Sequence, residues 1–521
     1  MVQKKKVVQS GVWQMLNVFV KFFAQFAYFA VMNRLLGLGA MGVFAILNSF
    51  MNVGNILGDG GMGDALLQRK EIEKQHINAA FWSSMLVSGI LYVILFFISP
   101  WVADFYHEPT LNLSLRLFGI VFLFAGMYSA PLNVLQRRFS FKKIFVGDGV
   151  CLLLSNILGI YLAWKGTGVM SLVYSQLFYF GTKLMVFWYY APVPLKLGYS
   201  KRHWKDLIGY GSGLTLIRVN NYVMNFGIIL EVGKLVEKKL LGIFDRTYRI
   251  MNIPQRLLYD MVQRVMMPAM VNKTGGQKGT FPIFYKTLSL MNTVFIPFTL
   301  YLIFFSKQIV LIQLGEKGVK DGVLLMQIFF LSLPMRMAAS LGDTLMRVHG
   351  LIKQNLYRKI QNSIAVIALI YLGYKWMGIT GIGWAVFGST VISYLLMIVV
   401  IRKYIFPEDW SKLILKPVYN GIKLCLIWVL PCYALYLGIQ YFLNEEIMSF
   451  IIASAVMGVA AAFAFLKKPQ LLSEDIASIQ EDILSMFKKK KGKKGKKNQE
   501  QKETGNVEDG GGEQYILHSD E

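Results

Sequence analysis

Lys21, Lys183, Arg218 and Arg336 stand deep inside long apolar runs. An ionisable side chain in hydrocarbon is costly, so such residues face a water-filled cavity or a partner. The run holding Lys21 also carries Gln14, Asn17, Gln25 and Tyr28 at steps of three and four, which places all five on one helix face. A later run repeats the arrangement with Thr215, Arg218, Tyr222 and Asn225, and the next adds Arg249, Arg256, Asp260 and Arg264 on a single face. The sum is a predominantly cationic interior with few acids. Guanidinium groups match phosphate geometry through paired donors, so the chemistry on offer is binding of an anion such as a pyrophosphate or an acidic sugar. Arg256 and Asp260 are also spaced for an i,i+4 ion pair, an equal alternative. For Arg34, Arg249, Asp343 and Arg347, near the ends of runs, pairing or snorkelling is the stronger reading.

Covalent and metal chemistry have no comparable constellation. His76, His107, His203, His349 and His518 are scattered, with no pair at metal-ligand spacing, and no Ser, His and Asp grouping stands out. Cys151, Cys425 and Cys432 fall inside apolar runs, against a disulfide framework or a zinc cluster. "GLGAMG" at 37 to 42 spells a dinucleotide-binding glycine pattern, which carries weight only after a strand. The apolar stretch at 10 to 36 is too long for a strand. The glycines are therefore read as a turn between two helices, where φ > 0 costs glycine little.

The elements that position these residues follow from composition. Of 521 residues 55% are hydrophobic and 16% charged, the balance of a membrane protein. About fourteen apolar runs are long enough as helices to cross a bilayer. Their cores are 11–33, 42–66, 79–101, 113–135, 145–164, 169–190, 208–230, 249–269, 284–305, 322–345, 360–375, 379–401, 418–440 and 447–466. The net charge of +25 suggests nucleic acid until its placement is considered. With a cytoplasmic N-terminus, about 25 Lys and Arg fall in inner loops, Arg347, Arg358 and Lys359 among them, against about nine outside, as the positive-inside rule expects. The first apolar segment lacks a cleavage signal and reads as a retained helix.

The two halves echo each other at a spacing near 200 residues. "LLGLGAMGVFAI" is answered by "LVEKKLLGIFDR", so that Gly42, Val43 and Phe44 match Gly242, Ile243 and Phe244. "LRLFGIVFLFAGMYSAPLNVLQRRF" and "LMQIFFLSLPMRMAASLGDTLMRVH" occupy equivalent places at the fourth and tenth runs. A two-fold repeat of membrane helices is the usual construction of secondary transporters, with the site between the halves. The reading is an all-α membrane protein with about 14 transmembrane helices in two pseudo-symmetric bundles around a central cavity. The expected divisions are 1–205, 206–405, a helix pair at 406–466 and a cytoplasmic tail at 467–521. The tail has an amphipathic stretch at 470–487, a polybasic run suited to anionic lipid and an acidic, disordered end.

The order "NRLLGLGAMGVFAILNSF", "DGGMGDALLQRKE", "AFWSSMLVSGILY", "LFGIVFLFAGMYSAPLNVLQRRFSFKKI", "LLGIFDRTYRIMNIPQRLL" and "VMMPAM" resembles the bacterial polysaccharide flippases of the multidrug/oligosaccharidyl-lipid/polysaccharide exporter superfamily. The likeness is to the colanic and teichuronic acid exporter branch and covers roughly residues 5–466. It implies alternating access that carries an undecaprenyl-pyrophosphate-linked oligosaccharide from the cytoplasmic to the outer leaflet of a bacterial inner membrane. It implies no cofactor, coupling to an H⁺ or Na⁺ gradient in some members, and as partners the lipid-linked oligosaccharide, membrane lipids and the polysaccharide polymerase machinery, with no nucleic acid. On that reading Lys21, Arg218 and Arg336 attract the pyrophosphate and Asn17, Gln25, Tyr222 and Asn225 contact sugar or water. Lys183, Arg256, Asp260 and Arg264 complete the expected cavity set. Two other functions stay open: a multidrug or cation exporter of the same superfamily, which should hold more intramembrane acid, and a glycan polymerase or ligase, which should have a large outer loop.

Overall fold

The computed structural model describes residues 2–57, 66, 73–138, 140–193, 226–271, 276–405 and 422–467. Among the described residues there is no strand. The first five helices are α1 (Val2–Leu57), α2 (Lys74–Phe105), α3 (Thr110–Arg137), α4 (Phe141–Trp164) and α5 (Met170–Tyr190). After a helical stretch at 226–235 come α6 (Lys238–Val271), α7 (Gly276–Phe304), the short α8 (Ser306–Leu314), α9 (Val319–Leu331), α10 (Leu333–Val348) and α11 (Ile352–Tyr404). A π-helical turn at Cys425–Val429 leads into α12 (Leu430–Leu443), and α13 (Glu446–Lys467) follows.

Eight helical stretches among the described residues are long and apolar enough to cross a bilayer; Lys353–Tyr404 holds two expected spans, and Leu16–Met51 holds most of the first and the start of the second. The seventh expected span lies outside the described residues except for 226–230, as do most of 58–72 and the tail from 468.

Two glycines divide the longest helices. Gly37, at φ 79° and ψ 166°, breaks α1 into two arms, in a region of backbone space that glycine enters without penalty. In α11 the break falls at Met377 and Gly378, the latter at φ 59°. The arms on either side touch backbone to backbone: a Cβ on Gly381 would sit 1.9 Å from the Gly373 carbonyl oxygen. Small residues permit such close approach where lipid offers no hydrophobic drive.

Packing gathers the helices into two bundles. In the first, α2 packs on α3, α3 and α4 on α5, and α1 on α4. In the second, α6 packs on α9 and α10, α7 on α10, and α11 on both α9 and α10. The main contact between them is the crossing of α1 with α6. A Cβ on Gly42 would lie 1.9 Å from the Lys238 carbonyl oxygen, and one on Gly242 would lie 2.2 Å from that of Leu38. Each glycine thus meets the carbonyl four residues before its repeat mate. Next along the chain Phe44 and Phe244 are fully buried. Phe44 meets Phe118 edge-on at 6.3 Å and 75°, and Phe244 meets Phe329 at 5.7 Å and 76°. The repeat seen in the sequence is therefore a two-fold relation in space.

The C-terminal pair α12 and α13 packs on the second bundle. Phe305, Cys432, Tyr436 and Ala453 form a small core there. Gln308 donates to the Tyr436 hydroxyl at 2.7 Å, and the Tyr301 and Ser454 hydroxyls are 2.6 Å apart. All three cysteines are buried and unbridged.

Candidate functional site

In the first bundle the polar face of α1 turns toward α4 and α5. Lys21 pairs with Asp148 on α4, and Lys183 on α5 stands 3.5 Å from the same carboxylate. The Tyr179 hydroxyl donates to Asp148 at 2.6 Å. Asp148 is only 2% exposed, and two cations and a hydroxyl take the place of water around it. The Lys183 ammonium also lies 4.6 Å from the Tyr128 ring centroid, a favourable place for a desolvated cation. One turn along, Tyr28 donates to Ser175 at 3.3 Å. Asn17 is buried and its Oδ1 has no partner, whereas Gln25 is exposed.

The second bundle uses the same parts. Asp343 on α10 pairs with Arg358 on α11 and with Lys359, whose Nζ is 3.1 Å away. Arg358 donates to the Ser393 hydroxyl at 2.7 Å, the Ser393 carbonyl at 3.0 Å and the Asn355 side chain at 3.2 Å. Arg336 is held by the Ser332 hydroxyl at 3.1 Å and by Asn252 of α6 at 3.4 Å. Arg336, Asp343, Arg358, Lys359 and Ser393 line a cavity of about 160 Å³ between α6, α10, α11 and the stretch at 226–235.

A third set of charges lies at the seam between the bundles. Asp245 is fully buried and accepts from the Arg249 Nε through both oxygens, at 2.8 and 2.7 Å. The Asn48 side-chain oxygen, turned toward Arg249, accepts from the same guanidinium. Arg246, 3% exposed, lies 3.7 Å from the Phe29 ring centroid and 3.5 Å from the Met41 sulfur, and its Nε has no partner.

Further contacts tie the bundles at this end. Glu108, in the turn between α2 and α3, pairs with Lys238. Lys234 and Tyr106 donate to the Phe105 and Leu230 carbonyls, each at 3.0 Å. Asn33 donates to the Gln313 carbonyl at 2.6 Å, and the Gln313 side chain donates back to Phe26 at 2.9 Å. Partial burial alone would raise the Glu108 carboxyl, but hydrogen bonds from Lys238 and Thr110 hold it below its ordinary range.

Of the residues expected from the sequence, Lys21 and Lys183 come together, on Asp148. Arg336 stands apart from them, on the cavity of the second bundle. Arg218, Tyr222 and Asn225 lie outside the described residues, and so do the side chains of Arg256, Asp260 and Arg264, whose backbone runs along α6. Arg249, expected to pair or snorkel, pairs with Asp245. The structure adds Asp148, Asp245, Arg246 and Arg358. Asp148 was open to the rule that singled out Lys21, since it is an acid within the run at 145–164, whereas Asp245 lies between two runs. Arg358 was counted with the inner-loop bases, yet it is 3% exposed. Among the described residues no group of His, Cys, Asp or Glu could hold a metal ion.

Two helical bundles joined along a pseudo-two-fold seam define a class of membrane transporter fold. The chain is similar in structure to a lipid II flippase MurJ in an inward closed conformation, with TM-score 0.66 and 13% identity over 88% of this chain and 100% of that one. It is also similar to an inward-facing multidrug resistance MATE family transporter of the MOP superfamily, with TM-score 0.60 and 13% identity over 76% and 95%. The protein is thus a multi-pass membrane protein with the MurJ and MATE fold. Residues 31–319, more than half the chain, match the polysaccharide biosynthesis protein family, and the chain belongs to that family. Its relatives include the teichuronic acid biosynthesis protein TuaB of Bacillus subtilis (strain 168), 23% identical over 320 residues, which are 60% of this chain and 65% of that protein. Another is the lipopolysaccharide biosynthesis protein WzxC of Escherichia coli (strain K12), 20% identical over 404 residues, 76% and 81% of the two chains.

Proposed function

We propose that this protein is a flippase, not an enzyme. It moves a lipid-linked oligosaccharide repeat unit, carried on undecaprenyl pyrophosphate, from the cytoplasmic to the outer leaflet of a bacterial inner membrane for surface polysaccharide assembly. The observation that carries the reading is the charge balance of the two bundles: Lys21 and Lys183 share one carboxylate, Asp148, while Arg358 and Lys359 share Asp343, with Arg336 beside them. Each of these clusters holds more cations than carboxylates, which supports an anionic cargo.

The head group of such a lipid cannot cross hydrocarbon unaided, because each buried polar group would lose several kcal/mol. A cationic passage between bundles, with the polyprenyl chain left in lipid, removes much of that penalty. Lys21, Arg218 and Arg336 hold the pyrophosphate, with Lys183, Arg256 and Arg264 adding positive potential and Asp260 tempering it. Asn17, Gln25, Tyr222 and Asn225 contact sugar or water. Both termini face the cytoplasm, so the seam at Gly42 and Gly242 closes the outer side and the bundles rock about it.

The test is the sidedness of lipid-linked oligosaccharide in the native host after depletion of the protein. Accumulation on the cytoplasmic leaflet, with linkage enzymes intact, is expected. Units that reach the outer leaflet normally but stay unpolymerised would overturn the reading.

A further inference from the structure

We propose that the cavity of the second bundle is a binding site for a phosphoryl anion, with Arg336, Arg358 and Lys359 as its cationic wall and Asp343 as a built-in anion that competes with the ligand. Among the described residues, the lining holds these three cations and one carboxylate, that of Asp343. Asp343 already pairs with Arg358 and Lys359. Burying charge in excess of its partners is unfavourable, so the cavity favours an anion. A metal cation placed there would face three positive side chains and, in Asp343, a carboxylate already shared between two of them.

The wall is preorganised as well as charged. Arg358 is 3% exposed and fixed by Asp343, Asn355 and both Ser393 oxygens, yet its Nε has no partner. Arg336 is set in place from two helices by Ser332 and Asn252. Ser340, Ser389 and Thr390 line the same space, but their hydroxyls already donate to the Met337 and Val386 carbonyls, so the donors to a phosphoryl group are the three cations. At about 160 Å³ the cavity has room for a charged group and is smaller than the roughly 300–1,000 Å³ of sites that enclose a drug-sized ligand. As a station for the head group of a carried lipid the site rests on the flippase reading; its preference for a phosphoryl anion does not.

The experiment is thermal unfolding of the full chain in lipid nanodiscs, titrated with inorganic pyrophosphate against potassium chloride of matched ionic strength, and separately with a polyprenyl pyrophosphate. Pyrophosphate is expected to raise the unfolding midpoint. Half-saturation should weaken about tenfold in Arg336→Gln and in Lys359→Gln, as each removes a charge-assisted donor, and tighten by a similar factor in Asp343→Asn. The opposite signs set ligand binding apart from a structural role. Asp343→Asn leaves the buried Arg358 without its carboxylate, a change that by itself destabilises the fold, so the two cation variants carry the test by themselves. Stronger protection by the polyprenyl compound assigns the site to a lipid head group, and equal protection assigns it to free phosphates. No protection, or protection that survives both cation substitutions, overturns the proposal. Failure of the sidedness test with pyrophosphate protection intact overturns only the flippase reading; export without pyrophosphate protection does the reverse.

Discussion

Gly42 and Gly242 meet across the seam of the two bundles with nothing but backbone between them, each against the carbonyl four residues before the other. A methyl group at either position would enter the space of a helix backbone, which cannot step aside as a flexible side chain can. Gly42→Ala and Gly242→Ala are each expected to cost about 2 kcal/mol or more, in the range of overpacked interiors, read as a lower unfolding midpoint. The double substitution should cost less than the sum, because both changes part the same crossing. Gly39→Ala is the control: its Cβ meets nothing within 4 Å, and its stability should not fall.

Asp148 serves two cations, and the costs of removing each member should differ accordingly. Asp148→Ala leaves Lys21 and Lys183 facing each other inside the bundle and is expected to cost roughly 3–5 kcal/mol, as when one partner of a buried ion pair is lost. Lys21→Gln leaves Asp148 with Lys183 and the Tyr179 hydroxyl and should cost clearly less. Equal losses in denaturation of the two variants would show that Lys183 does not sustain the carboxylate.

Arg246 is buried at the seam against Phe29 and Met41, with its Nε unsatisfied. Opening the seam would return that guanidinium to water, so its burial works against the closed arrangement. Arg246→Met is expected to hold the seam shut: the unfolding midpoint is kept or raised, while export falls. Replacing a buried charge by an apolar group of similar volume is often neutral or stabilising. A cross-link between cysteines placed at 108 and 238 should form faster in this variant than in the parent.

The Glu108–Lys238 pair spans the same seam nearer its surface. The Glu108 carboxyl is held below its ordinary range, so the contribution of the pair is complete above that range and is lost as pH falls through the depressed value. Hydrogen exchange of the turn between α2 and α3 should therefore be unchanged by this pair from about pH 5 to 8, and quicken only in acid, below the usual titration of a carboxylate. Lys238→Gln should move that onset upward. Added salt should weaken the contact, since Lys238 is 44% exposed.

Much of this architecture was legible in the sequence, and particular residues show why. Gly37 carried the helix break, because glycine is conspicuous inside an apolar run; Gly42 and Gly242 were matched as repeat mates, but only the packing of α1 on α6 brings them together. Lys21 and Lys183 were visible as cations in hydrocarbon, but the carboxylate between them was passed over, and without Asp148 their purpose read only as attraction of an external anion. Arg358 and Lys359 sit near a span end, where composition reads as membrane anchoring. Only packing of α10 against α11 turns them inward onto Asp343.

The crossing at Gly42 and Gly242 is the isologous contact that two copies of one small protein would make around a two-fold axis. A true homodimer must repeat every residue near its axis, so a buried charge there appears twice. Fusion of the halves into one chain lifts that obligation. Where the first half carries Ala45 and Ile46, the second carries Asp245 and Arg246. The seam thus holds one set of buried charges where symmetry would have forced two, and each half is free to evolve its own lining without disturbing the joint they share.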